Sequence, residues 1–175
     1  QLDFPWVLPS PNIPTIETTF AYLTTCFFEG SNLSEGRGTA KPFQIIGAPW
    51  LKSKALIKKL ESYNLAGVKF RTLYFTPTFS KHKDVLCEGV ELYITDKSVF
   101  KPVKTGLTMI HTVKEMHEEF SWIPPFKEGM NKFSESLMGD DYLTNRNVDL
   151  DDILKQVEED SKTFKKLKGK YHIYD

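Results

Sequence analysis

Residues 53–75 set two periods side by side. Behind Ser53, the side chains of Leu56, Ile57, Leu60 and Tyr63 return at three-to-four spacing, the rhythm of a helix packed along one face. This predicts a helix over 53–65, with Ser53 as N-cap and Gly67 as the residue past its end. The period then drops to two: Val68, Phe70, Thr72 and Tyr74 alternate with Lys69, Arg71, Leu73 and Phe75, which predicts a strand over 68–75. Residues 89–95 read as a second strand turned by Asp96, and residues 43–48 as a short buried strand closed by Pro49-Trp50. The β-prone run Thr24-Thr25-Cys26-Phe27-Phe28 reads as one more strand.

Further helices follow from caps and spacing. Thr15 caps a helix over 15–22 with Glu17 in its first turn. Pro102 suits the first turn of a helix reaching about residue 119, with Val103, Leu107, Ile110, Val113 or Lys114, and His117 on one face. Phe120 and Trp122 anchor its exit before Pro124-Pro125, and residues 132–138 form a short helix stopped by Gly139. Asp149 caps a long helix whose inner face carries Leu150, Ile153, Leu154, Val157, Phe164 and Leu167, and Tyr171-His172-Ile173-Tyr174 is expected to return as an ordered extension. The fold class expected is α+β (mixed α/β): a single compact domain with a small mixed sheet packed by helices.

Composition narrows the function classes. At 175 residues the chain suits one domain with a sizeable core. A formal net charge of zero removes any argument for polyanion binding by bulk charge. No apolar run approaches the ~20 residues of a membrane-spanning helix. Residues 1–14 hold four of the ten prolines (Pro5, Pro9, Pro11, Pro14) around Trp6 and Leu8, an extended lead-in suited to a boundary with an upstream domain. Phe4, Trp6, Val7 and Leu8 look too apolar to be left in water. With no initiating Met and no signal segment, the chain reads as excised from something longer, with 1–14 as linker and 15–175 as the domain. Cys26 and Cys87 are expected as buried free thiols, or as one disulfide in an exported parent. His82 beside Cys87 falls short of a zinc set, and His111, His117 and His172 make no metal pattern, so no metal or cofactor is expected.

The densest chemistry lies in residues 28–39, Phe-Glu-Gly-Ser-Asn-Leu-Ser-Glu-Gly-Arg-Gly-Thr. Phe28 and Leu33 are its only apolar members, so it reads as a polar binding loop between two core strands, outside the core. Gly36-Arg37-Gly38 lacks the third glycine of a dinucleotide fingerprint, and no Walker lysine follows. Asn32-Leu33-Ser34 matches a glycosylation acceptor, a triplet common by chance. Glu29 and Glu35 offer the two carboxyl groups that glycoside hydrolysis needs, or they simply pair with Arg37 to hold the loop. Lys81, His82 and Lys83, with Arg71 and Arg37, make either a cationic wall for an anionic group or a solvated basic turn.

Four segments in order, Pro9–Thr15, residues 28–39, Pro42-Phe43 through Ile46-Gly47-Ala48-Pro49-Trp50, and Tyr74-Phe75-Thr76-Pro77-Thr78-Phe79-Ser80-Lys81-His82, resemble the NamZ-type exo-β-N-acetylmuramidase family. The resemblance covers nearly the whole chain. It implies the smaller C-terminal domain of a two-domain protein whose other part is an N-terminal Rossmann-like domain. It also implies a peptidoglycan-degrading glycosidase of the bacterial cell envelope, periplasmic or extracellular. Such an enzyme releases N-acetylmuramic acid from non-reducing glycan ends in a cleft between the domains. On that reading this domain is one wall, inactive alone, with the principal catalytic acid in the other part. Glu29 and Glu35 are then catalytic candidates, and Asn32, Arg37, Ser34 and His82 substrate-binding ones. Arg37 would form a bidentate pair with the lactyl carboxylate. The alternative is a non-catalytic carbohydrate-binding or structural domain.

Overall fold

The computed structural model describes residues 5–144 and 148–173; Phe4 and Tyr174, expected to pack, lie outside them. Helix α1, Ile16–Thr25, opens as expected on Thr15, whose hydroxyl accepts from the Thr18 N–H. It then runs through Thr24 and Thr25 of the segment expected as a strand, and a 3-10 turn, Cys26–Gly30, takes the rest of it. The β-branched Thr25 is tolerated here because its hydroxyl donates to Ala21 O at 3.1 Å and lies 2.7 Å from Phe43 O. Thr24 sits where a later helix crosses: a Cβ on Gly106 would stand 2.1 Å from Thr24 O. Close helix packing overrides strand propensity in this run.

Strand β1, Ile45–Ala48, precedes α2, Ser53–Glu61. Lys52 occupies the N-cap position, and Ser53 instead gives its N–H and hydroxyl to Glu88 at 2.8 and 2.5 Å. Gly67 does not end α2. Its positive φ (+72°) turns the chain into β2, Val68–Phe75, where a side chain would meet Asp96 O. Strand β3, Cys87–Ile94, lies between the other two in the order β1-β3-β2. The architecture is α+β, with a sheet that is antiparallel throughout rather than mixed, since β2 returns directly into β3 and β1 pairs antiparallel on the far side. Gly47 and Gly89 face each other in register and form a floor for the Phe75 ring.

Helix α3, Pro102–Met116, buries Leu107, Met109, Ile110 and Val113 in one core with Ile46, Val90, Leu92, Leu56 and Leu60. Phe120 and Trp122 meet edge to face and pack against that core. Helix α4, Phe133–Met138, stops at Gly139 in the left-handed region. Helix α5, Leu150–Lys168, is capped by Asp149, but only its first turns meet the body. Leu150 and Ile153 are buried, whereas Phe164 and Leu167, expected on its inner face, are exposed, as are Tyr171 and Ile173. At the other end Trp6, Val7 and Leu8 are exposed too. Cys26 and Cys87 are both free.

Candidate functional site

Residues 28–39 are part of the interior. Phe28, Gly30, Ser31, Leu33, Ser34, Glu35 and Gly36 are buried, and none of the twelve is fully exposed. The expectation of a loop outside the core fails because nearly every polar group finds a protein partner. Ser34 exchanges backbone hydrogen bonds with Gly47 at 2.8 and 3.0 Å, which extends the sheet beyond the free edge of β1. Its hydroxyl is turned inward and accepts from the Gly36 N–H. The segment therefore hangs between a 3-10 turn and β1, rather than between two strands.

The second polar loop, residues 76–86, locks onto the first. Lys81 Nζ reaches Phe28 O at 2.8 Å, Glu29 O at 3.2 Å, Leu33 O at 2.9 Å and Glu35 Oε2 at 2.8 Å. Burial lowers the pKa of this ammonium, while the Glu35 carboxylate acts to raise it. Gly38 O accepts from the N–H and hydroxyl of Thr78, and a Cβ on Gly38 would stand 2.7 Å from the Phe79 backbone. Ser80, His82 and Asp84 all take positive φ, a conformation that costs a non-glycine residue roughly 1–2 kcal/mol. The loop keeps it because Lys81 anchors the centre and Asp84 N–H donates to Pro77 O.

Expected site residues come together in one trio and one pair. Arg37 donates through Nη2 to Glu29 Oε2 at 2.7 Å and forms an ion pair with Glu35, Nε to Oε1 at 3.0 Å, with its guanidinium 5.0 Å above the Phe43 ring. Its Nη1 carries no hydrogen bond among the described residues. Glu35 thus bridges Arg37 and Lys81. His82 Nε2 lies 2.7 Å from Asn32 O, while the Asn32 side chain donates to Glu119 O and accepts from Ser121 N–H. The cationic wall does not form: Lys81 is consumed inside, Lys83 is exposed beside Asp84, and Arg71 pairs with Glu91 on the sheet.

Sequence reasoning missed two residues here. Lys81 looked like one cation in a basic turn but is the clamp between the loops. Glu91 is a second buried carboxylate, opposite Ile45 and Arg71 and bonded by Lys41 and Arg71. An acid inside the apolar run Gly-Val-Glu-Leu-Tyr-Ile was its visible mark. Burial pushes both thiols up to about 11, with the Glu29 charge adding to the effect at Cys26, so neither is a nucleophile at neutral pH. Among the described residues no group of three or more His, Cys, Asp or Glu could hold a metal ion.

The family model described as Exo-beta-N-acetylmuramidase NamZ, C-terminal, matches residues 20–174. Peptidoglycan beta-N-acetylmuramidase NamZ of Bacillus subtilis (strain 168) is 44% identical over 183 residues, which cover 99% of this chain and 43% of that protein. Two DUF1343 family proteins of Bacteroides fragilis NCTC 9343, known from crystal structures, share the fold. One has a TM-score of 0.83 at 22% identity, covering 98% of this chain and 46% of its own. The other has a TM-score of 0.65 at 26% identity, covering 95% and 43%. The chain spans less than half the length of these relatives.

Proposed function

The chain belongs to the family of C-terminal domains of the exo-beta-N-acetylmuramidase NamZ, and on that premise we propose that it serves a peptidoglycan-degrading glycosidase as one wall of a cleft between two domains. The substrate would be a glycan ending in N-acetylmuramic acid, released from the non-reducing end in the bacterial cell envelope. Residues 15–175 act as the domain and residues 1–14 as the join to the remainder of the enzyme.

The observation that supports this reading best is the mounting of Arg37. Two carboxylates fix the Nε and Nη2 side of its guanidinium, and the side chain keeps 28% of its exposure. A planar cation held that way has its orientation set before a ligand arrives, which reduces the ordering cost of binding. Nη1 and the second Nη2 hydrogen are the donors left for the lactyl carboxylate of a muramyl residue, and together they make the end-on fork of a bidentate pair. His82 and Asn32 form the neighbouring polar rim for hydroxyl or acetamido groups.

Glu29 and Glu35 take the role of positioning residues in this proposal. Glu35 is 2% exposed and both of its oxygens are bonded to cations, so it has no open path to a glycosidic oxygen. Ser34, equally buried, contributes backbone geometry. The bond-breaking acid then belongs to the other part of the enzyme, and this wall selects the sugar.

Hydrolysis of muramyl- and glucosaminyl-terminated glycans by the full-length enzyme, wild type against Arg37→Ala, tests the assignment. A lost charge-assisted hydrogen bond, worth about 1.5–3 kcal/mol, should lower kcat/KM on muramyl ends roughly 10- to 100-fold and leave glucosaminyl ends unchanged. An unaltered preference would sink the role of Arg37.

A further inference from the structure

A groove of about 680 Å³ opens beside the Arg37 mount, a size within the range of small-molecule sites. Gly38, which follows Arg37, and Pro42, which precedes the Phe43 ring beneath its guanidinium, both line it. Phe75 and Phe79 give the groove apolar faces, and Asn12, Thr39 and Thr76 give it an amide and two hydroxyls. Among the described residues no charged side chain lines it. The two aromatic residues are held from behind. Phe75 packs on Gly47 and Gly89, where a Cβ would stand 2.6 and 2.7 Å from its Cε1. Phe79 belongs to the backbone that closes on Gly38, with Thr78 bonded twice to Gly38 O, and it stays half exposed. Aromatic faces fixed in this way receive a ligand at small ordering cost.

We propose that this groove is a subsite for an uncharged pyranose ring, the sugar to which the terminal muramyl residue is linked. This rests on the glycosidase reading and extends it from the released sugar to the glycan that stays behind. A pyranose presents C–H bonds on its faces and hydroxyl or acetamido groups at its rim. The electron-rich face of an aromatic ring attracts the first, and Asn12, Thr39 and Thr76 offer hydrogen-bond partners for the second. The missing charge decides which ring goes where. A sugar carrying a carboxylate finds a cation at Arg37, whereas in the groove that charge would lose water and gain no counter-ion. A neutral ring carries no such cost. Gly38 and Pro42 make the two places continuous, as neighbouring rings of one glycan require.

Two substrates of the full-length protein separate this subsite from the Arg37 site. One is a disaccharide of N-acetylmuramic acid linked to N-acetylglucosamine. The other is N-acetylmuramyl fluoride, whose leaving group is too small to fill the groove. Phe79→Ala should lower kcat/KM about tenfold on the disaccharide, the lower end for one lost apolar pocket contact, and leave the fluoride unchanged. Arg37→Ala should slow both. A split with Phe79→Ala but no effect of Arg37→Ala would overturn the Arg37 reading alone. An effect of Arg37→Ala with no split for Phe79→Ala would overturn the subsite alone. Saturation-transfer NMR with methyl N-acetylglucosaminide reads the same contact without turnover, and so holds whether or not the glycosidase assignment does. The wild type should transfer to the ring C–H protons of this sugar. Phe79→Ala and Asn12→Ala should each weaken the transfer while the amides of β3 keep their hydrogen-exchange protection. No transfer in the wild type, the result if protein covers the groove, or equal transfer in all three, would refute the subsite.

Discussion

Glu35 and Glu91 are two buried carboxylates, 2% and 1% exposed, and each is bonded by two cations. Their partners differ. Arg37 and Lys81 keep only 28% and 20% of their side-chain exposure, while Lys41 and Arg71 keep 46% and 60%. Around Glu35 the cations lie in the interior, and Lys81 also holds three backbone carbonyls from the other loop. Around Glu91 they are rim groups lying over Tyr93 on an open sheet face. The same charge pattern therefore builds a joint in one place and a cover in the other. The cost of removing a cation depends on whether what remains can reach water.

Lys81→Met gives the largest separation between the two. It leaves the buried Glu35 carboxylate with Arg37 alone and takes a donor from three carbonyls, of which Phe28 O keeps Ser31, so urea denaturation should show a loss of about 1–3 kcal/mol for each buried acceptor left without a partner. A loss no larger than that of an exposed ion pair would erase the distinction. Glu91→Gln should act more mildly and through pH. Burial works against the Glu91 charge, but hydrogen bonds from Lys41 and Arg71 outweigh it and hold its carboxyl below the usual range. The unfolded state then binds more protons than the folded one between the lowered pKa and the ordinary value near 4.5. That stability is present above this window and is lost as pH falls through it. Glu91→Gln should flatten the acid limb of the stability curve, and an unchanged limb would place the acid sensitivity elsewhere. Arg71→Ala is the smallest of the three: with Lys41 still in place, its denaturation midpoint should match wild type within error, and high salt should erase any residue of an effect.

The legibility of the sequence followed the same divide. Strand β2 was readable at both ends because a half-buried strand imposes its period locally. The caps Thr15 and Asp149 and the stop at Gly139 were readable for the same local reason. The run 24–28 was not, since its helical state depends on Gly106, eighty residues further on, allowing α3 close to Thr24. The burial of residues 28–39 was equally hidden, because a polar segment enters a core only when partners such as Lys81 and Gly47 arrive to satisfy it. In α5 the spacing of Phe164 and Leu167 continued correctly, but a helical period says nothing about whether a neighbour lies beneath it.

The most direct test is a side-chain nitrogen NMR titration of the full-length protein with N-acetylmuramic acid and, separately, N-acetylglucosamine. If the joined loops exist to present Arg37, its guanidinium resonances move with the first sugar and stay in place with the second. Equal movement with both, or none with either, would contradict it.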